Sequence, residues 1–148
     1  VFDRIFAVNV KGVWLGAKAA LGVMKKQKRG VFLVTASTAA IRPRPGGQTY
    51  AASKGAVVTL TKSLALECAP YGVRVVAIAP VATETPMLAT FMGKREVDAE
   101  GMARYVATVP LGRLNKPEDL ANAAVFLASE EAAMITGSGL EVDGGRCI

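Results

Sequence analysis

Apolar residues recur at three- and four-residue steps through the first part of the chain: Phe2, Ile5, Phe6, Val10, Val13, Trp14, Ala17, Leu21 and Met24. This is the period of one helix face, and it predicts a helix from residue 2 to about 28. The basic turn Lys25-Lys26-Gln27-Lys28-Arg29 suits the negative end of a helix dipole, and Gly30 reads as the stop. Val31-Phe32-Leu33-Val34-Thr35-Ala36 is then a short unbroken apolar run, as in a buried strand. The prolines and glycines of Arg42-Pro43-Arg44-Pro45-Gly46-Gly47 exclude regular structure. A second helix is predicted from about Thr49 to Ala69. Ala51, Ala52, Ser53, Gly55 and Ala56 make its first turns slim, Val57, Leu60 and Leu64 supply its apolar face, and Pro70 and Gly72 end it. Val73 to Ala79 is a β-branched run, as expected of a parallel strand buried on both faces.

The pattern blurs over residues 88–109, which read as one or two short helices. Their neighbourhood carries Met87, Leu88, Phe91, Met92, Met102, Tyr105 and Val106, and two readings are open for these: the lining of a modestly apolar pocket, or ordinary packing. Pro117 followed by Glu118 and Asp119 predicts a helix over 117–129. Thr136-Gly137-Ser138-Gly139 turns into a last strand, Leu140-Glu141-Val142. The order of elements implies an α/β fold with three parallel strands and flanking helices.

Composition narrows the chemistry. The 148 residues suffice for one domain. No apolar run reaches the roughly 18–20 residues of a membrane span. The start, Val1-Phe2-Asp3-Arg4, has no signal-peptide character and lacks an initiating Met, which points to a fragment or a processed chain. The two cysteines, Cys68 and Cys147, form no disulfide framework, so a reducing, cytoplasmic setting is expected. With no histidine, Ser-His-Asp and Cys-His catalysis are excluded, and no metal site is expected. Lys plus Arg exceed Asp plus Glu, 18 against 12, but no aromatic is interleaved with the basic run. The run reads as a solvated helix end, and nucleic acid is not an expected partner. Arg42 and Arg44 could receive an anionic substrate, or they could be the exposed loop arginines that are commoner.

Three polar residues then stand out. Ser37 ends the first strand, and Tyr50 and Lys54 lie four apart, on one face of the second helix. A tyrosine ionises near 10, and an ammonium one turn away favours its phenolate. Such a phenol can exchange a proton with a carbonyl or alcohol oxygen that Ser37 holds in place.

The strand ending in Ser37, the thirteen-residue step to Tyr50 and the run Tyr50-Ala51-Ala52-Ser53-Lys54-Gly55 together resemble the short-chain dehydrogenase/reductase family. The resemblance implies that Ser37 orients substrate, that Tyr50 is the acid/base, and that Lys54 lowers the Tyr50 pKa and binds the nicotinamide ribose. Asn9 matches a family asparagine that supports a water-linked proton relay. Pro80-Val81-Ala82-Thr83-Glu84-Thr85 is similar to the motif Pro-Gly-x-Ile/Val-x-Thr along the nicotinamide, which implies cofactor contacts from Pro80, Thr83 and Thr85 beside Tyr50 and Lys54. Here Val81 replaces the glycine and Thr83 the aliphatic residue, so a side chain stands where the motif's backbone approaches closely. The region 88–109 corresponds to the family's substrate lid. The implied cofactor is NAD or NADP, the implied substrate a small secondary alcohol or ketone, and the implied assembly a homo-oligomer, since the first two helices form a subunit interface in many members.

Neither Thr-Gly-x-x-x-Gly-x-Gly nor Gly-x-Gly-x-x-Gly occurs, and the strand motif Asn-Asn-Ala-Gly is absent. The pyrophosphate turn of a dinucleotide fold is therefore not in this sequence. The resemblance covers the chain but only the C-terminal part of the family's Rossmann-like, doubly wound parallel sheet, so residues 1–148 are expected to form a single partial domain. The alternative to an oxidoreductase is an inactive truncated fragment that acts, if at all, as an association module through the bare edge of its first strand.

Overall fold

A computed structural model describes residues 1–91 and 98–148. Its elements are helix α1 (Phe2–Phe6), a π-helical segment (Ala7–Lys11), α2 (Gly12–Gln27), β1 (Gly30–Thr35), α3 (Gln48–Cys68), β2 (Val73–Pro80), α4 (Met87–Phe91), α5 (Ala99–Val106), α6 (Pro117–Ala128) and β3 (Gly139–Val142). The strands form one parallel sheet in the order β1-β2-β3. Register runs from Gly30 opposite Val73 to Thr35 opposite Ile78, and from Ala77 opposite Gly139 to Pro80 opposite Val142. The expected three strands with flanking helices are thus observed, with boundaries shifted by a residue or so.

The continuous apolar runs are explained by burial on two faces. On one face Phe32, Val34, Val75, Ala77 and Ala79 pack with Ala17 and Leu21 of α2 and with Val57, Ala65 and Cys68 of α3. On the other, Val31, Leu33, Val76 and Ile78 pack with Leu120, Ala123, Ala124 and Leu127 of α6. Successive strand residues alternate between these layers, as the pleat requires. Among the described residues no strand pairs with the free edge of β1.

Two local features depart from the sequence reading. The first helix is interrupted: Ala7–Lys11 widen into a π segment with Asn9 at its centre. Such segments are rare and concentrate at functional sites. The stop after α2 is Lys28, at φ 53°, and not Gly30. Gly30, at φ 151°, instead opens β1, and a Cβ there would lie 2.6 Å from the Met24 side chain.

Helix α6 is fastened at both ends. At its start Asp119 accepts from the Lys116 main-chain N–H at 2.8 Å and from both Nη atoms of Arg113 at 2.6 and 2.9 Å. The Arg113 hydrogen bond, foremost, pulls the Asp119 carboxyl down to about 2. At its end Arg74 of β2 donates to the carbonyls of Leu127, Ser129 and Ile135. Oxygens left unpaired by the helix terminus thereby find a cationic donor. No helix among the described residues is long and apolar enough to cross a membrane.

Candidate active site

The site lies where the strands end, outside their carboxyl termini, the usual place for ligands in an open α/β sheet. Ser37 continues β1 in an extended conformation, φ −170° and ψ 151°, and its Oγ accepts from the Ala39 N–H at 3.1 Å. That bond caps a single 3-10 turn, Thr38–Ala40. Buried Thr38 donates to the Pro80 carbonyl at 3.2 Å, which ties the end of β1 to the end of β2. The Arg42–Gly47 loop then leads into α3, with Tyr50 in its first turn and Lys54 in its second.

A short relay of polar groups holds Tyr50 in place. The Asn9 Nδ2 donates to Ser53 Oγ at 3.0 Å, and Ser53 Oγ donates to the Tyr50 carbonyl at 2.7 Å. Ser53 is fully buried, so these bonds are worth more than surface ones. Sequence reading passed over Ser53, treating it only as a small residue in a slim turn. Its position one residue before Lys54 and three after Tyr50 was the available signal. The π segment aims Asn9 at it, and no propensity rule places such a segment.

The Lys54 ammonium donates to the Thr35 carbonyl at 2.7 Å and lies 5.8 Å from the centre of the Tyr50 ring. The structure thus gathers Asn9, Ser37, Tyr50 and Lys54 around one corner of the sheet. The electrostatics correct one expectation. Burial raises the Tyr50 pKa above its ordinary value and outweighs the hydrogen bond with Ser37, which lowers it. Lys54 does not bring the phenol below 10; burial lowers the pKa of its own ammonium. The reason is desolvation: burial disfavours the charged form of each group, phenolate and ammonium alike.

A pH prediction follows from this. The folded-state value of Tyr50 exceeds the unfolded one, so folding favours the protonated phenol. Its contribution to stability is complete below about pH 10 and is lost as pH rises through the folded value. Lys54, shifted the other way, contributes in the opposite sense. The ultraviolet phenolate signal, taken as the difference between the chain and Tyr50→Phe, is expected to place Tyr50 above ordinary tyrosine. A midpoint near neutrality would show that the ammonium governs it after all.

The segment after β2 is positioned differently from its motif reading. The Pro80 carbonyl is taken by Thr38. Thr83 donates to the Val81 carbonyl at 3.0 Å and forms an isolated parallel bridge with Asn115, while exposed Thr85 donates to the Thr83 carbonyl at 3.4 Å. The Val81 side chain is buried with Leu88, Val109 and Leu114. Asn115, which sequence reading used only as a helix-start signal, is buried and donates to the Val142 carbonyl. Of the lid candidates, Leu88, Met102, Tyr105 and Val106 pack on the Val81 cluster, Met87 is exposed, and Met92 lies outside the described residues.

Beside the trio, a groove of about 360 Å³ opens between the first helix and β1, with Asn9, Gly12, Gly16, Phe32, Thr35 and Lys54 on its walls. Val8, Val13, Leu33 and Val34 complete its lining, so its walls are largely apolar and run along the edge of β1 that no strand pairs with among the described residues.

Comparison with known proteins accords with this geometry. The family model described as Enoyl-(Acyl carrier protein) reductase matches residues 1–146. The chain is 47% identical over 147 residues to 4-formylbenzenesulfonate dehydrogenase of Comamonas testosteroni, covering 99% of this chain and 58% of that protein. It is 43% identical over 145 residues to inactive 2-(S)-hydroxypropyl-CoM dehydrogenase 2 of Xanthobacter autotrophicus, covering 97% of this chain and 63% of that protein. Among solved structures, it superposes with a TM-score of 0.90 and 49% identity on 3-ketoacyl-(acyl-carrier-protein) reductase from Brucella melitensis complexed with NADH, covering 99% of this chain and 58% of that one. The chain spans little more than half the length of these relatives. Matched along nearly its whole length by the family model, by dehydrogenase sequences and by a reductase structure, it belongs to the short-chain dehydrogenase/reductase family.

Proposed function

We propose that the chain carries the catalytic part of an NAD(P)-dependent oxidoreductase that interconverts a secondary alcohol and a ketone. The observation that carries this reading is the half-buried Tyr50 hydroxyl, hydrogen-bonded to Ser37 with Lys54 one turn away. Nicotinamide, when bound, supplies or accepts the hydride. The residues of the chain handle the oxygen. Ser37 orients it by hydrogen bonding. Tyr50, which burial favours in its protonated form, gives its proton to a ketone oxygen in reduction; in oxidation its phenolate, formed by first releasing that proton to solvent, takes the proton of the alcohol. Lys54 and Tyr50 would hold the ribose, with Pro80, Thr83 and Thr85 beside the nicotinamide. Asn9 acts through Ser53 to keep Tyr50 in register. The resemblance to a reductase solved with NADH supports the cofactor class.

Self-association belongs to the same proposal. Phe2, Val8, Trp14, Leu15 and Leu66 expose apolar side chains on the first helices and on α3, the kind of surface a subunit interface covers. The experiment for the main reading is a titration of the 148-residue chain with NADH and NADPH followed by nicotinamide fluorescence. Weak but saturable binding is expected, without a marked preference between the two nucleotides, since the pyrophosphate turn is not in this sequence. No binding at millimolar nucleotide by a chain shown folded by circular dichroism would overturn the proposal for this chain.

A further inference from the structure

The loop that joins Ser37 to Tyr50 has little main-chain support of its own. Pro43 and Pro45 carry no N–H. Among the described residues, the loop's main-chain to main-chain hydrogen bonds all stay within residues 37–51. Two of them extend the Ser37 turn: the N–H groups of Ile41 and Arg42 both donate to the Thr38 carbonyl, at 3.0 and 2.8 Å. Arg42 is therefore rigidly joined to Ser37. Its Nη1 reaches out of the loop and donates to the carbonyls of Arg146 at 2.8 Å and Ile148 at 3.1 Å. Arg44 makes a second link, from Nη2 to Thr108 Oγ1 at 2.8 Å, with its guanidinium 4.7 Å from the centre of the Tyr105 ring.

The carbonyls that receive Arg42 belong to a turn built on Asp143. That side chain is buried, and its two oxygens accept from the main-chain N–H groups of Gly145 at 2.9 Å and Cys147 at 2.8 Å. The Arg146 N–H donates to the Asp143 carbonyl at 3.2 Å, and the charge of Asp143 favours the Arg146 guanidinium. The turn is fastened in its own right to the segment after α5. The Leu111 N–H donates to the Gly144 carbonyl at 3.0 Å. Gly144, at φ 59°, leaves room for this approach, since a Cβ there would lie 2.6 Å from the Val109 side chain. The contacts close a circuit: Arg42 to the tail, the tail to Leu111, and Thr108 back to Arg44.

We infer that Arg42 is a positioning residue and the Asp143–Ile148 turn its anchor: together they fix the Ser37 turn against the rest of the fold and so hold the Ser37 hydroxyl in hydrogen-bonding reach of Tyr50. The inference deepens the proposed alcohol and ketone chemistry, and rests on that reading for the use made of the pair. Both carbonyls converge on one nitrogen, so the turn needs from residue 42 a point donor and not a guanidinium fork. A misplacement of about 1 Å in a reacting group can cost on the order of 10²-fold in rate, which gives a contact 104 residues away in the chain a part in the reaction.

Fluorine NMR on the 148-residue chain labelled with 3-fluorotyrosine tests it. The ring fluorine lowers the phenol pKa, so ionisation is followed while the chain stays folded, and Tyr50→Phe identifies the Tyr50 signal. The Ser37 bond lowers the Tyr50 value, so Ser37→Ala is expected to move the Tyr50 midpoint up in the parent. In an Arg42→Ala background the same Ser37 substitution is expected to leave the midpoint where it is, because Ser37 is already out of place. Asp143→Asn leaves one of the two N–H groups without its acceptor, frees the tail, and is expected to do the same. The turn cap that Ser37→Ala also removes is common to every background. Arg42→Lys, still a point donor, is expected to restore the full shift. With folding checked by circular dichroism, no shift in the parent, a full Ser37 shift in either folded variant, or no rescue by Arg42→Lys would overturn the inference. Neither nucleotide nor substrate is present, so this failure is distinguishable from failure of the oxidoreductase reading.

Discussion

Replacing Tyr50 by phenylalanine is expected to lower kcat by about 10²–10⁴-fold with any alcohol or ketone the protein turns over, the range for losing a positioned general acid/base. The substitution is narrow. Phenylalanine keeps the ring in its half-buried seat and removes only the hydroxyl. The Asn9–Ser53–Tyr50 relay ends on the Tyr50 carbonyl, which the variant retains. The lost bond to Ser37 costs stability about 0.5–1.5 kcal/mol, the net worth of one hydrogen bond. Lys54 keeps its bond to the Thr35 carbonyl. The expected signature is therefore a collapse of kcat with a small loss of nucleotide affinity, on the scale of the one ribose hydrogen bond that the hydroxyl would make, and a nearly unchanged unfolding midpoint. Steady-state rates, nicotinamide fluorescence and urea unfolding on the same preparations separate these terms. A Tyr50→Phe protein that turns over within a few fold of the parent would remove Tyr50 from the reaction. The test has weight because a relative 43% identical to this chain carries the name of an inactive dehydrogenase, so family membership leaves activity to be shown at the site.

The second large effect is on stability. Leu127→Ala is expected to cost about 2–5 kcal/mol in urea unfolding, since it removes a fully buried side chain and leaves a cavity. Leu127 presses α6 onto Val76 and Ile78 and so covers the second face of the sheet. Its carbonyl is also held by Arg74 at 2.7 Å, so the helix end cannot slide in to fill the void without breaking that bond. A domain of this kind has about 5–15 kcal/mol in total, so a loss of this size threatens the fold. Leu66→Ala is the internal control: Leu66 is 79% exposed on α3 and is expected to change stability by no more than about 0.5 kcal/mol in a monomer. Equal losses at the two positions would mean that Leu127 is not the anchor of that layer.

Much of this protein was readable from residue order. Period identified the long helices, and unbroken β-branched runs identified β1 and β2, because burial on both faces of a parallel sheet demands apolar side chains at every position. The spacing of Ser37, Tyr50 and Lys54 was equally visible, because a strand end and one turn of helix are local geometry. Other features lay beyond such rules. The π segment at Asn9 and the Ser53 relay join residues 44 apart in the chain, and the Arg42–Arg146 contact joins residues 104 apart. The inward turn of Val81 depends on α4, Val109 and Leu114 arriving from elsewhere. The raised pKa of Tyr50 was misjudged for the same reason. Spacing places an ammonium one turn from a phenol, but burial shifts both groups toward their neutral forms, and burial is set by the neighbours that the tertiary fold supplies. The sequence alone determined which residues could do chemistry and which elements carry them. Only the packing of those elements decided their solvation, their partners and hence their protonation.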